Sequence, residues 1–214
     1  MPAQEHWLRL FMKTDEDAAL EKKKIRAIIK NLLEGLPLRD HKLKSSIITG
    51  SLLNSGEYNC AHSVFVYYPF RKEIDTRVII KDALAKNKKI ILPKVSGSEL
   101  KIFFVNDELK DLRRSNFDIL EPDETICSEA PVDIIDLVIV PGLCFDLNFN
   151  RLGYGGGFYD KILGKFSSRA RKIALAFDLQ ILDNIPSCPH DQKVDIIITE
   201  SNIYRDIAID RAKY

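Results

Sequence analysis

The sequence lacks several features that would assign it to whole classes of protein. It contains four cysteines in 214 residues, and no two of them have the spacing of zinc ligands or of a disulfide framework. An excess of charge of one sign is also missing, because 32 Lys and Arg residues nearly balance 31 Asp and Glu residues and leave a formal net charge of +1. Generic attraction to nucleic acid or to an anionic membrane is therefore not expected.

Long apolar runs are absent as well. No segment approaches the length needed to span a bilayer, and the first 20 residues lack the apolar region of a signal peptide. The acidic residues at 15–17 argue against an organellar transit peptide. We therefore expect a reduced, cytoplasmic protein. Its residues 1–19 are expected to form a loosely ordered N-terminal extension, and residues 20–214 a single domain.

The apolar residues that are present predict helices alternating with strands. Helical spacing covers residues 20–36, 39–54 and 75–87, and a further helix begins near Phe158. Strand patterns cover residues 62–69, 88–95, 99–106, 132–143, 171–177 and 194–200. This alternation predicts a layered, Rossmann-like α/β fold with a mostly parallel sheet flanked by helices. Residues 95–122 are expected to add an antiparallel element or a small flap.

The most distinctive segment is residues 141–163, PGLCFDLNFNRLGYGGGFYDKIL, in which four glycines fall within five positions. Glycines let a backbone approach a ligand closely, and a helix start offers unpaired N–H groups. The segment follows a predicted buried strand, and the carboxyl ends of such strands bind ligands in α/β sheets. Arg151 and Asp160 would add a phosphate clamp and a magnesium ligand. A phosphate site is therefore predicted, with a glycine-rich surface loop as the alternative, since the pattern is neither a Walker A motif nor a dinucleotide fingerprint.

The same segment resembles the signature of the 5-formyltetrahydrofolate cyclo-ligase family, also called methenyltetrahydrofolate synthetases. That signature places Pro-Gly-x-x-Phe-Asp before Arg-Leu-Gly-x-Gly-x-Gly-(Tyr/Phe)-Tyr-Asp. Further similar motifs follow the family's order: KKKIR, VFVYYPFRKEIDT, ILPKV, FDILEP, ALAFDLQIL and HDQKVDIIITE. Two residues depart from the pattern, since Phe149 and Asp118 stand where the family has glycine. If the turn at 149 requires a positive φ, phenylalanine fits it poorly.

The resemblance implies an ATP- and magnesium-dependent enzyme that converts 5-formyltetrahydrofolate to 5,10-methenyltetrahydrofolate with release of ADP and phosphate. In that reaction the formyl oxygen is phosphorylated, N10 attacks the formyl carbon, and phosphate leaves. No protein nucleophile is needed, so we assign no catalytic residue and expect positioning and charge stabilisation instead. The expected partners are ATP and the folate, without nucleic acid or membrane, and the chain is expected to be a monomer or a small homo-oligomer.

The resemblance also implies roles for individual residues. The residues expected to bind ATP are Lys22, Arg26, Arg151, Leu152, Gly153, Tyr154, Gly155, Gly156, Gly157, Phe158 and Tyr159. The residues expected to bind the folate are Tyr68, Glu73, Phe117, Phe158 and Tyr159. The magnesium ion is expected at Asp160 and Asp195. Lys193 and Lys94 are weaker candidates for contacts with phosphate or with a folate carboxylate.

Plainer interpretations of these residues stay open. Lys22 and Arg26 also suit a solvated helix face, Glu73 a helix entry, and Asp195 a solvated strand edge. The aromatic residues also suit a core. Two other residues are given only the plain interpretation: Cys144 as an apolar filler rather than a nucleophile, and His190 as a turn residue.

Two other functions also remain open on the same fold. One is a sugar-phosphate isomerase or an acyl-CoA-type enzyme, which would not consume ATP. The other is a non-catalytic nucleotide- or folate-binding protein, which would have less need of two metal carboxylates.

Overall fold

A seven-stranded sheet forms the centre of the computed structural model, which describes residues 15–115 and 119–206. The strands are β1 (Ser63–Phe65), β2 (Lys89–Ser96), β3 (Glu99–Val105), β4 (Leu112–Arg114), β5 (Leu120–Pro122), β6 (Leu137–Val140), β7 (Cys144–Asp146), β8 (Arg151–Leu152), β9 (Arg171–Leu175), β10 (Ile181–Leu182), β11 (Ile196–Ile198) and β12 (Ile203–Arg205). The large sheet has the order β12-β11-β9-β6-β1-β2-β3. Its five inner strands are parallel, and β3 and β12 are antiparallel edges.

Helices cover both faces of this sheet. They are α1 (Asp15–Gly35), α2 (Leu38–Leu53), α3 (Gly56–Cys60), α4 (Arg77–Ala85) and α5 (Phe158–Leu163), and single 3-10 turns lie at Val132–Ile134 and Asp178–Gln180. The apolar residues of α1, α2 and α4 belong to the core on one face, and those of α5 belong to the core on the other. The predicted α/β fold with a mostly parallel sheet flanked by helices is confirmed.

The elements largely follow the apolar pattern. All four residues of β6 are buried, as expected for a central strand whose sequence does not alternate. Helix α1 ends at Gly35, just before Pro37, because proline cannot continue a helix. This helix begins at Asp15, so it takes in five residues of the predicted extension, whose residues 1–14 lie outside the described part of the chain.

Three hairpins are added to the parallel strands. Strand β2 turns back into β3, β4 pairs with β5, and β7 pairs with β8 beside β10. The expected antiparallel addition within residues 95–122 is therefore present as β3 and the β4–β5 pair. Asp118, one of the two departures from the family pattern, lies outside the described residues.

The turn between β7 and β8 is organised by a buried carboxylate. Asp146 accepts hydrogen bonds from the backbone N–H groups of Asn148, Asn150 and Ile185 at 2.9–3.0 Å. Phe149, between them, has φ 63°, the left-handed conformation that glycine adopts more easily. The turn thus keeps a positive φ although it carries a bulky residue, and the ring of Phe149 packs against the core beneath α5.

No helix within residues 15–115 and 119–206 combines the length and the apolar character needed to cross a bilayer.

Candidate active site

A cavity of about 720 Å³ opens at the carboxyl ends of β1 and β6. These two strands are neighbours, but the chain continues from β1 towards one edge of the sheet and from β6 towards the other. Such a reversal of strand order leaves a crevice in which open α/β sheets bind ligands. Tyr67 and Tyr68 follow β1 into the cavity wall, and Pro141 follows β6.

The glycine loop forms one end of this cavity. All eleven residues expected to bind ATP line the cavity, including Lys22 and Arg26 from α1. Arg26 fixes the loop, because its Nε donates to the carbonyl oxygen of Gly153 at 2.9 Å. Gly155 has φ 109° and Gly157 has φ 67°, conformations that residues with a Cβ rarely adopt. The loop therefore needs glycine at both positions for its shape.

The helix after the loop is short. Helix α5 has six residues, and Gly157 precedes it without a side-chain cap. Few peptide dipoles are aligned in so short a helix, so the positive potential at this end of the cavity comes mainly from side-chain cations.

Two ion pairs supply those cations. Arg151 Nη2 lies 2.6 Å from Asp160 Oδ1, and Lys22 Nζ lies 2.6 Å from Asp191 Oδ2. Burial acts to raise the pKa of Asp191, but the hydrogen bond from Lys22 holds that pKa below its ordinary value. Arg151 is buried, and among the described residues its Nε has no hydrogen-bond partner. Two carboxylates of the cavity wall, Asp160 and Asp191, are thus each neutralised by a neighbouring cation.

Asp195 does not belong to this group. It precedes β11, at the amino end of the parallel strands, whereas the cavity lies at their carboxyl ends. It is buried and does not line the cavity, and its carboxylate accepts a hydrogen bond from the backbone N–H of Lys172 at 2.9 Å. The structure therefore does not bring together Asp160 and Asp195, which were expected to share a magnesium ion. Between Asp191 and Asp195 the chain leaves the cavity wall and reaches the amino end of β11.

Asp191 is the acidic residue that sequence reasoning missed. It lines the cavity, and the next residue, Gln192, donates its backbone N–H to Asp160 Oδ1 at 3.1 Å. His190, interpreted as a turn residue, also lines the cavity. Asp191 and Asp195 both lie in the motif HDQKVD, and nothing in their spacing tells which of the two faces the cavity. The contact with Lys22, 169 residues away, is visible only after folding.

The same cavity contains the residues expected to bind the folate. Tyr68, Glu73, Phe158 and Tyr159 line it, while Phe117 lies outside the described residues. The segment after β1 is held in place by α2, because His41 Nε2 lies 3.1 Å from the carbonyl oxygen of Glu73. Tyr68 is oriented by donating its hydroxyl to Glu108 at 2.9 Å.

Glu73 has an unusual environment for a carboxylate. Burial raises the pKa of its carboxyl to about 7, although the backbone N–H of Phe70 and the hydroxyl of Tyr154 act to lower it. Tyr159 lies nearby, and among the described residues its buried hydroxyl has no hydrogen-bond partner. These two polar groups face a cavity whose wall also includes five apolar side chains: Pro93, Val95, Leu100, Ile119 and Leu120.

The weaker candidates lie outside the cavity. Lys94 is 3.5 Å from Glu124, and Lys193 is exposed. Cys144 is fully buried, and burial raises the pKa of its thiol to about 12, which agrees with its interpretation as an apolar filler.

Comparison with known proteins agrees with the motifs. Residues 18–200 match the model of the 5-formyltetrahydrofolate cyclo-ligase family. The chain is 30% identical to a probable 5-formyltetrahydrofolate cyclo-ligase of Schizosaccharomyces pombe over 88% of this chain and 100% of that protein. It is 29% identical to the 5-formyltetrahydrofolate cyclo-ligase of Mus musculus over 85% and 94% of the two chains. The structure of Aquifex aeolicus 5,10-methenyltetrahydrofolate synthetase superposes with a TM-score of 0.77 at 29% identity, covering 86% of this chain and 92% of that one.

Proposed function

The chain belongs to the 5-formyltetrahydrofolate cyclo-ligase family, and on that premise we propose that it uses ATP and magnesium to convert 5-formyltetrahydrofolate to 5,10-methenyltetrahydrofolate, ADP and phosphate. Membership makes it an enzyme, a ligase of folate one-carbon metabolism. The observation that carries the ATP-dependent mechanism is that one cavity contains both a glycine loop with neighbouring cations and a buried carboxylate among aromatic residues.

The glycine loop is the proposed phosphate site. Its backbone can approach phosphate oxygens because no Cβ intervenes, and Lys22, Arg26 and Arg151 provide three positive charges around it. Arg151 is already buried with one N–H unsatisfied among the described residues, so little reorganisation is needed before it donates to a phosphate.

The donor set of the cavity fits a magnesium ion. Asp160 and Asp191 supply two carboxylates, and within residues 15–115 and 119–206 no group of three His, Cys, Asp or Glu side chains could hold a metal. Magnesium is usually bound by one or two carboxylates while phosphate oxygens and waters complete its shell. When bound, it would neutralise charge on the β- and γ-phosphates.

Lys22 and Arg151 have a double role in this proposal. In the structure they neutralise Asp191 and Asp160 at 2.6 Å. When the nucleotide binds, both cations can turn to phosphate oxygens and leave the two carboxylates to the metal. The same four side chains therefore remain charge-balanced in both states.

The chemistry explains why positioning suffices. The formyl group on N5 is an amide, whose carbon is a weak electrophile and whose oxygen leaves poorly. Transfer of the γ-phosphoryl group from ATP to the formyl oxygen makes that oxygen a good leaving group. N10 then attacks the formyl carbon, the carbon–oxygen bond breaks to release phosphate, and the N10 proton passes to solvent. The chain must hold the formyl oxygen in line with the γ-phosphate, which is the work of the walls between Glu73 and the glycine loop.

Glu73 and Tyr159 are the proposed pterin contacts. An ionised Glu73 can accept hydrogen bonds from the amide and amino edge of a pterin, and the free hydroxyl of Tyr159 can bond to a polar ring atom. Tyr68 and Phe158 provide flat aromatic walls for the proposed pterin site.

The purified protein mixed with 5-formyltetrahydrofolate, ATP and magnesium should develop methenyl absorbance together with one ADP per methenyl product. Leaving out ATP should abolish the absorbance, and Asp160→Asn should lower its rate under the same conditions. A folded protein that binds nucleotide but leaves the formyl-folate unchanged would contradict the proposal and would favour a binding protein.

A further inference from the structure

One wall of the cavity is formed by the β2–β3 and β4–β5 hairpins. Val95 and Leu100 face each other in the β2–β3 register, and Ile119 and Leu120 approach from the β4–β5 pair. Together with Pro93 they make an apolar wall of the size and kind that packs against an aromatic ring.

One cation lies beside this wall. Lys161, in the first turn of α5, lines the cavity and donates its ammonium to the carbonyl oxygen of Ser98, in the β2–β3 turn, at 3.1 Å. The other cations of the cavity wall, Lys22, Arg26 and Arg151, lie at the glycine loop. Within residues 15–115 and 119–206 Lys161 makes no ion pair, so its charge is available to an anion.

Glu121 also lines the cavity near this wall, but it does not neutralise Lys161. Its carboxylate accepts a hydrogen bond from the backbone N–H of Val95 at 3.4 Å, and burial raises its pKa. It therefore faces β2, whereas the ammonium of Lys161 faces the tip of the hairpin.

The chemistry of folate supplies an anion for this position. The aminobenzoyl-glutamate tail leaves the pterin from the edge opposite its amide, so a pterin held at Glu73 directs its tail away from Glu73. The aryl ring then meets the apolar wall, and the glutamate that follows it carries two carboxylates. We propose that Lys161 binds the glutamate carboxylates of the substrate and makes the enzyme prefer folates to pteroates, an inference that rests on the proposed function.

The test compares 5-formyltetrahydrofolate with 5-formyltetrahydropteroate, which keeps the N5 formyl group and N10 but lacks the glutamate. Calorimetry measures Kd for each compound, and methenyl absorbance at saturating ATP measures KM. Lys161→Met should raise both constants for the folate about three- to fivefold, as expected for a partly solvated ion pair, and leave those for the pteroate unchanged. Lys161→Arg should retain the preference of the wild type, and added salt should weaken folate binding but not pteroate binding.

Lys165→Met is the matched control. Lys165 is exposed and follows α5 by two residues, without lining the cavity, so its loss changes net charge equally and should not alter the preference. Equal losses for both compounds in Lys161→Met, or the same loss in Lys165→Met, would overturn the inference, because Lys161 would then act through the hairpin or through overall charge.

The outcome separates this inference from the proposed reaction. If the wild type binds the folate without forming methenyl product, the reaction is wrong, and the calorimetric comparison still decides the role of Lys161. If the wild type binds neither compound, both are overturned.

Discussion

At the scale of single residues, the cavity is defined by charges that are paired with one another within the chain. Lys22 with Asp191 and Arg151 with Asp160 are both close, partly buried pairs at 2.6 Å. Removing one member of such a pair leaves the other charge uncompensated, so its effect exceeds that of a surface pair. Asp195 is also buried, but it satisfies a backbone N–H and not a cation. The two kinds of aspartate should therefore respond differently to the same substitution.

We predict that Asp191→Asn lowers the turnover number at least about tenfold, a loss of about 1.4 kcal/mol or more in transition-state stabilisation, because the magnesium ion loses a charged ligand. Asp195→Asn, the same chemical change four residues away, should leave turnover within about twofold, because the amide oxygen can still accept from Lys172. Methenyl absorbance at several magnesium concentrations measures both. Equal losses in the two variants would mean that Asp191 is not a metal ligand.

Glu73 makes the second prediction at this scale. Burial raises the pKa of its carboxyl to about 7 in the folded protein, above the value of about 4.3 in an unfolded chain. The folded state therefore favours the protonated carboxyl of Glu73. The stability that this preference contributes is fully present below about pH 4.3 and is lost as the pH rises through 7. Relative to Glu73→Gln, the unfolding free energy of the wild type should fall by on the order of 2 kcal/mol between pH 5 and pH 8.

Over the same pH range the ionised carboxylate becomes available to the pterin, so the KM of the wild type for 5-formyltetrahydrofolate should decrease. Denaturant titrations and initial rates at matched pH values measure the two trends. A Glu73→Gln variant with the same pH profiles as the wild type would contradict the assignment.

At the scale of elements, loops and turns carry the site, and strands hold them in place. The glycine loop is attached to α1 through Arg26, to β6 through Arg151 and Pro141, and to the segment before β11 through Asp160 and Gln192. The β7–β8 turn is fixed beneath it by Asp146. Phe149 shows that this turn geometry persists even with a residue that disfavours it. The backbone is thus determined by the surrounding hydrogen bonds rather than by the preference of the residue itself.

This makes a prediction for position 149. Phe149→Gly should be more stable than Phe149→Ala by about 1 kcal/mol, because both lose the ring but only alanine keeps a Cβ at φ 63°. Thermal or urea unfolding of the two variants measures the difference. Gly50, within α2, is the control, because a Cβ added there would meet nothing within 4 Å. At this helical position alanine should be more stable than glycine, so Gly50→Ala should stabilise the protein by about 0.5–1 kcal/mol. A Phe149→Ala variant as stable as Phe149→Gly would mean that the turn relaxes.

At the scale of the whole molecule, the cavity joins parts of the chain that are distant in sequence. Its wall includes Lys22 near one end of the described chain and Asp191 near the other, with residues of the β2–β3 and β4–β5 hairpins between them. A ligand that contacts all of these parts binds only the folded state. Its binding free energy is therefore added to the stability of the molecule as a whole.

A non-hydrolysable ATP analogue with magnesium, at 100 times its dissociation constant, should add about 2.7 kcal/mol and raise Tm by roughly 5–10 °C. Differential scanning calorimetry measures this shift. Chelation of the magnesium should remove most of it, and Asp191→Asn should reduce it, whereas Asp195→Asn should not. A shift that is indifferent to magnesium would contradict a metal site between the two carboxylates.

The sequence was sufficient for those properties that depend on neighbours along the chain. Among the described residues, apolar periodicity predicted every helix except α3 and the six strands β1, β2, β3, β6, β9 and β11, but not the six short strands. The unalternating run of β6 predicted a strand buried on both faces. The motif of residues 141–160 predicted the family, and the family model confirmed it. These features are local, since each helix, strand or motif is recognised from residues that lie close together along the chain.

The folded chain was needed for pairings between distant segments. Whether Asp191 or Asp195 faces the cavity depends on where the chain enters β11, and the two residues share one motif. The raised pKa of Glu73 and the approach of Lys161 to Ser98 likewise depend on burial and on the meeting of separate elements. Local preference acts between residues a few positions apart, whereas burial and ion pairing arise only when packing brings remote residues into contact.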